Sequence, residues 1–253
     1  MSPLPSLTPV SAKVVVTGAV GGVGSALMAA LAQLNCSAIG IDLPDAVQSA
    51  PDRDRLIAAD LSDAESASRA ITSAVDRLAG LDCLVGAAAA VATLHRADSF
   101  PAAAFRDDVA ANLLSQFWTA QAAYPALTAS GAASVVMLSS IGALDGLPGQ
   151  ASYAASKAGI LGLVRTLAAE WAHAGIRVNA IVPGLTATPK VLAMPEEIRR
   201  RAVANVALGR MTSVAEVVAS IVFLLSPAGA AITGQSIRVD AGSGLNTTVG
   251  LHR

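Results

Sequence analysis

A chain of 253 residues with 53% hydrophobic and 14% charged residues can bury one deep core, and a formal net charge of −1 with no basic block argues against nucleic acid as a partner. Apolar stretches such as 81–94 are interrupted by Asp82 and His95 before reaching the roughly 18 residues of a membrane span, so no membrane partner is expected. Residues 1–11, with three prolines and no basic-then-apolar pattern, read as a short disordered tail rather than a signal peptide, and Cys36 and Cys83 sit in apolar contexts that suit reduced, buried thiols of a cytoplasmic protein.

From Lys13 to Thr17 runs a β-branched strand pattern, followed by Gly18-Ala19-Val20-Gly21-Gly22-Val23-Gly24 and a helical stretch to about Leu34. Strand, glycine turn and helix make a βαβ entrance, where bare amides and the positive end of a helix can meet a pyrophosphate. The spacing Gly18-x-x-x-Gly22-x-Gly24 departs from the common Gly-x-Gly-x-x-Gly dinucleotide fingerprint. The next strand, 37–41, ends in Asp42, twenty-four residues after Gly18. An acid there can accept from both hydroxyls of an adenosine ribose and repels a 2′-phosphate, and neither Gly21 nor Leu43 supplies a cation, so NAD is expected over NADP. Asp42 also reads simply as a strand-end residue before Pro44.

A short strand near 56–59 leads to Asp60 and Leu61, with Ser62 as the expected cap of a helix reaching Leu78. The continuous apolar run 81–85 reads as a buried parallel strand and opens into Gly86-Ala87-Ala88-Ala89-Ala90, which carries almost no side-chain chemistry. Helix follows from Pro101 to Ala129 and contains Asn112, whose amide needs partners if buried. Strand 135–138 delivers Ser139 and Ser140 to a Gly/Pro-rich loop, and an Ala-rich helix then carries Tyr153 and Lys157 to about Ala174. Four residues apart, Tyr153 and Lys157 share one helix face, where an ammonium favours the ionised phenol.

Strand 177–181 precedes Pro183-Gly184-Leu185-Thr186-Ala187-Thr188, and the region 189–209 reads as a flap whose Arg199-Arg200-Arg201 cluster is a solvated helix face. A helix over 213–225 and a strand over 236–239 complete the core, so one α/β domain over 12–253, with a parallel sheet covered on both faces, is expected.

Together these pieces resemble the short-chain dehydrogenase/reductase family over about Lys13 to Gly242. The specific part is the combination of Gly18, Gly22 and Gly24, Asn112, Ser140 thirteen residues before Tyr153, Lys157, and Pro183-Gly184 with Thr188. The resemblance implies a single Rossmann-type domain, doubly wound with a mostly parallel seven-stranded sheet, assembling as a homotetramer. It implies Tyr153 as acid/base on the substrate oxygen, Ser140 holding that oxygen, Lys157 on the nicotinamide ribose, and Asn112 holding a water between Lys157 and solvent. Implied cofactor contacts are Gly18, Gly22, Val23 and Gly24 near the pyrophosphate, Asp42 at the ribose, Asp60 and Leu61 at adenine, and Ala87 and Ala88 along the loop. Tyr153, Lys157, Pro183, Gly184, Thr186 and Thr188 complete that set. No metal is called for. The family's usual Asn-Asn-Ala-Gly is replaced by Gly86-Ala87-Ala88-Ala89, so another group must satisfy backbone atoms at the sheet centre.

The leading expectation is an NAD-dependent alcohol dehydrogenase or ketone reductase acting on an apolar, secondary or cyclic alcohol. Its pocket walls would be Val91, Ile141, Ala143, Leu144, Gln150, Leu185, Val191, Leu192 and Met194, which flank the catalytic positions in sequence. The alternatives are a 3-oxoacyl-carrier-protein reductase, which usually presents basic residues where this chain has 127–130 and 173–174, and a non-catalytic NAD-binding scaffold, which would have no chemical need for the four-residue set.

Overall fold

In the computed structural model, which describes residues 5–8, 11–90 and 94–245, each apolar run read as a strand is one. The strands are β1 (Lys13–Thr17), β2 (Ser37–Asp42), β3 (Leu56–Ala58), β4 (Cys83–Gly86), β5 (Ser134–Leu138), β6 (Arg177–Pro183) and β7 (Ser236–Val239). All pair in parallel, in the order β3-β2-β1-β4-β5-β6-β7. The order reverses between β1 and β4, so connections diverge to opposite faces there and open a crevice at the carboxyl ends of these two strands.

The helices are α1 (Gly22–Gln33), α2 (Pro44–Ser49), α3 (Ala64–Leu78), α4 (Ala102–Val109) and α5 (Ser115–Ser130). After them come α6 (Gly142–Asp145), α7 (Ala151–Trp171), α8 (Pro189–Leu192), α9 (Glu196–Val203) and α10 (Val214–Leu225). Side chains alternate along each strand, yet both sets are apolar because both faces are covered. Val14, Val16, Val136 and Leu138 pack against α1 and α10 through Leu27, Leu31, Val217 and Ile221. Val15, Val135, Met137 and Val178 pack on the other side against α3, α5 and α7 through Ile71, Leu127, Ile160 and Val164. Each such side chain is buried to within a few per cent and contributes about 1.5–3 kcal/mol.

Three local features differ from the sequence reading. Asp63, not Ser62, caps α3, accepting from Ser66 N at 2.7 Å, because the Ser62 hydroxyl is turned to Asp60 Oδ1 at 2.7 Å. Pro44, beside which Asp42 could be read as a plain strand-end residue, opens the six-residue helix α2, where its fixed φ and missing N–H suit the first turn. The helix expected over 101–129 is interrupted by a π turn at Ala110–Leu114, where Asn112 Nδ2 donates to Asp108 O at 2.9 Å and Ser115 Oγ to Ala111 O at 2.7 Å. Side chains that bond to nearby carbonyls in this way loosen the regular ladder.

Of the expected tail 1–11, only 5–8 and 11 are described; Val91 and residues 246–253 also lie outside the described residues. Among the described residues, no helix is long and apolar enough to cross a membrane.

Candidate active site

The glycine turn is built for close approach. Gly18 has φ +66°, and a Cβ there would stand 2.7 Å from the Ala88 backbone. One at Gly24 would lie 2.1 Å from Gly18 O, and one at Gly22 2.9 Å from Thr188 Cβ. The three glycines therefore serve three contacts: with the loop after β4, within the turn itself, and with the segment after β6. Among the described residues no side chain caps α1 at Gly21, and its first turn holds no acid, so its leading N–H groups and positive end are free for an anion.

Beside this turn lies a cleft of about 340 Å³ lined by Gly18, Val20, Asp42, Asp60, Leu61 and the segment Ala87–Ala90. Asp42 is fixed at its mouth, Oδ2 accepting from Val20 N and Oδ1 from Leu43 N, both at 2.8 Å. A carboxylate so held keeps lone pairs for further donors. Gly18, Asp42, Asp60, Leu61, Ala87 and Ala88 are thus brought together. Val23 and Gly24 stand behind the cleft, Val23 packed on the α1-side core and Gly24 buried against Gly18. Val20 and Ser115 are cleft residues the sequence reading missed. Val20 donates its backbone amide to Asp42, a role no side-chain signal could reveal, and Ser115 follows directly on the π turn.

On the cleft's inner side, Thr17 Oγ1 accepts from Ala87 N and Ala88 N, each at 3.2 Å. Asn112, fully buried, accepts from Ala90 N at 3.1 Å and donates to Ala90 O at 2.8 Å. Its side chain is committed to backbone partners and pins the far end of the same loop.

At the end of β5 the chain places Ser140 against α7. The Ser140 hydroxyl lies close enough to the Tyr153 phenol to favour its ionised form, and it accepts from Gly142 N at 3.1 Å. Lys157, 1% exposed, lies one turn further on, its Nζ 5.6 Å from the centre of the Tyr153 ring. The three side chains therefore meet at one edge of the sheet. The electrostatics differ from the simple picture of an ammonium depressing a phenol. Burial raises the Tyr153 pKa, with the Ser140 hydroxyl opposing it, and burial pushes the Lys157 pKa down to about 7. Desolvation penalises the charged form of each group, and at this separation it outweighs their mutual influence.

The segment after β6 closes the same end. Pro183 O accepts from Ile141 N at 3.0 Å, joining it to the Ser140 loop, and Gly184 is required where a Cβ would lie 2.8 Å from Asp240 Cα. Thr188 caps α8 through Val191 N and packs on Gly22, whereas Thr186 is buried and its hydroxyl donates to Gly184 O at 3.0 Å. Of the expected pocket walls, Ile141, Ala143, Gln150, Leu185 and Val191 are half-buried, and Leu144, Leu192 and Met194 are exposed. The arginine cluster lies on α9 away from any buried partner: Arg200 and Arg201 both pair with Glu197, and Arg199 Nε donates to Met194 O.

Comparison with known proteins agrees with this architecture. The family model described as enoyl-(acyl carrier protein) reductase matches residues 18–244. An acetoacetyl-CoA reductase from Acinetobacter sp. (strain RA3849) is 32% identical, covering 90% of this chain and 95% of the relative. A cis-4-hydroxycyclohexanecarboxylate dehydrogenase from Sinomonas cyclohexanicum is likewise 32% identical, covering 90% and 94%. The crystal structure of gox2181 superposes with a TM-score of 0.85 at 29% identity, covering 93% of this chain and 96% of that one. With its switch-point cleft, its Ser-Tyr-Lys edge and these relatives, the chain belongs to the short-chain dehydrogenase/reductase family and is an oxidoreductase acting on CH–OH donors.

Proposed function

We propose that this chain is an NAD-dependent oxidoreductase that interconverts an apolar secondary or cyclic alcohol and its ketone, with Tyr153 as general acid/base. The observation that carries this reading is the gathering of Ser140, Tyr153 and the buried Lys157 at the carboxyl edge of the sheet, with Lys157 Nζ 5.6 Å from the Tyr153 ring centre and the Ser140 hydroxyl beside the phenol. Two neighbouring hydroxyls can both bond one substrate oxygen placed between them. Ser140 then orients that oxygen, and Tyr153 takes its proton during oxidation or returns one during reduction.

The residues present suit a nicotinamide dinucleotide: the open amino end of α1 for its pyrophosphate, the Asp42 carboxylate for a ribose diol, and Gly18 and Ala88 backbones in van der Waals contact beside it. When bound, that cofactor supplies the hydride acceptor or donor. Lys157, with a pKa near 7, is poised to hold or pass on a proton at neutral pH. Selection of NAD over NADP is supported by Asp42 at the cleft and by the lack of any cation among the described residues that line it.

The apolar substrate class rests on Ile141, Ala143, Leu144, Leu185, Val191, Leu192 and Met194, with Gln150 the neutral polar exception. The Sinomonas relative, named for a ring-borne hydroxyl, supports the cyclic secondary alcohol. The Acinetobacter relative favours the second reading, reduction of a 3-oxoacyl thioester, but the arginines of α9 are occupied with Glu197 and Met194. Initial rates of NADH formation across cyclic and acyclic secondary alcohols, beside NADH consumption with acetoacetyl-CoA, separate the two. Turnover of the thioester alone would replace the first reading by the second.

A further inference from the structure

The segment Gly86-Ala87-Ala88-Ala89-Ala90 leaves the centre of the sheet and lines the cleft without one side chain able to hydrogen-bond. The carbonyls of Gly86, Ala88 and Ala90 are paired all the same. Gln116, 2% exposed on α5, sends Nε2 to Gly86 O at 2.9 Å and to Ala88 O at 3.5 Å. Asn112, four residues earlier, holds both backbone groups of Ala90. Four helical residues advance about 6 Å and two extended residues about 6.6 Å, so amides at 112 and 116 match alternate residues of the loop. The longer glutamine then reaches on to residue 86.

The orientation of the Gln116 amide follows from its partners. Both are carbonyls, so the NH₂ must face them, and among the described residues Oε1 has no hydrogen-bond partner. That oxygen occupies the space beside Gly86, where a Cβ would stand 1.8 Å away. A side chain at 86 therefore forces the Gln116 amide out of the place it holds.

We infer that Gln116 is a positioning residue for the cofactor loop, supplying from α5 the amide that residue 86 lacks, and that Gly86 and Gln116 form one coupled unit. The inference rests on the reading that Ala87–Ala90 face a nicotinamide dinucleotide. Without Gln116, two carbonyls in the sheet centre lose their donor, and the loop relaxes toward the cleft it lines.

Three variants test this: Gln116→Met, which keeps length and volume but removes the donors; Gly86→Asn, which restores an amide at 86 but collides with Gln116; and the double variant Gly86→Asn/Gln116→Ala. The measurements are NADH dissociation constants by fluorescence titration and thermal midpoints of the cofactor-free chain. Gln116→Met should weaken NADH binding about tenfold and raise the cofactor KM more than it lowers kcat. Gly86→Asn should unfold at a markedly lower temperature or fail to fold, while the double variant regains both stability and NADH binding. Gln116→Met binding NADH within about twofold of wild type, or a double variant no better than Gly86→Asn, would overturn the inference. Should the wild-type chain bind no dinucleotide, the proposed function falls. The thermal midpoints then decide the coupling alone: rescue upholds it and additivity rejects it.

Discussion

Lys157 donates its ammonium to the Leu138 carbonyl at 2.9 Å, and the adjoining Ser139 hydroxyl returns a 2.7 Å bond to Lys157 O. This reciprocal tie fastens α7 to the carboxyl end of β5 and places a buried amine beside Ser140 and Tyr153. A backbone carbonyl holds the amine and a serine hydroxyl holds the lysine's main chain, but neither is an anion, so burial still works against its charge.

The consequence is a specific pH dependence of folding. Because burial lowers the folded-state Lys157 pKa to about 7, the unfolded chain holds a proton that the folded chain lacks between about 7 and the ordinary value of 10.5. Stability of the cofactor-free chain should therefore rise with pH across that window and be lost as pH falls back through 7. Urea midpoints measured from pH 7 to 10 should climb for the wild type and flatten for Lys157→Met. Parallel curves for the two chains would show that this lysine is not the group responsible.

Tyr153→Phe removes the phenolic oxygen and keeps the ring that packs above Lys157. Turnover should fall on the order of 10²–10⁴-fold while NADH affinity changes little. In the wild type, the raised Tyr153 pKa predicts that alcohol oxidation accelerates as pH rises toward the alkaline side, because the base form is the one required. A Tyr153→Phe enzyme near wild-type rate would remove the phenol from the mechanism.

The central strands β1, β4 and β5 were legible in the sequence because burial on both faces leaves runs such as Val14-Val15-Val16 and Val135-Val136-Met137 with no polar interruption. The glycine turn was legible too, although the reason for each glycine is a contact distant in sequence: Ala88 for Gly18 and Thr188 for Gly22. Ser140, Tyr153 and Lys157 could be read because one strand end and one helix turn bring them together locally. Gln116 could not, since a glutamine in an apolar helix gives no sign of which carbonyls it faces until α5 is laid against β4. The π turn was hidden for the same reason, as its cause is the pull of Asn112 and Ser115 on nearby carbonyls. The sign of the Tyr153 shift was misread because spacing reports proximity but not desolvation.

Asp42 bears on the proposed preference for NAD in two ways, by its negative charge at the cleft and by holding the Val20 and Leu43 amides. Asp42→Ala should weaken NAD binding about tenfold to a hundredfold, the range expected for lost hydrogen bonds to a charged group. It should also narrow the preference for NAD over NADP, because repulsion of a 2′-phosphate disappears with the carboxylate. Steady-state kcat/KM for both cofactors provides the measurement, and an unchanged ratio would dismiss the argument from charge.

Gly24 and Gly21 offer a paired test of the turn. A Cβ on Gly24 would meet Gly18 O at 2.1 Å, a backbone atom that can yield only by moving the turn, whereas the nearest atom to one on Gly21 is the same oxygen at 3.2 Å. Gly24→Ala should therefore cost at least about 1–3 kcal/mol, the usual penalty of overpacking. It should also weaken NADH binding, because Gly18 abuts the Ala88 backbone at the cleft. Gly21→Ala needs an adjustment of only a few tenths of an ångström at an extended φ of −64°, so its thermal midpoint should stay close to wild type. Equal losses in the two variants would mean that the turn tolerates no added carbon anywhere, and that the close Gly24–Gly18 contact is not what makes Gly24 necessary.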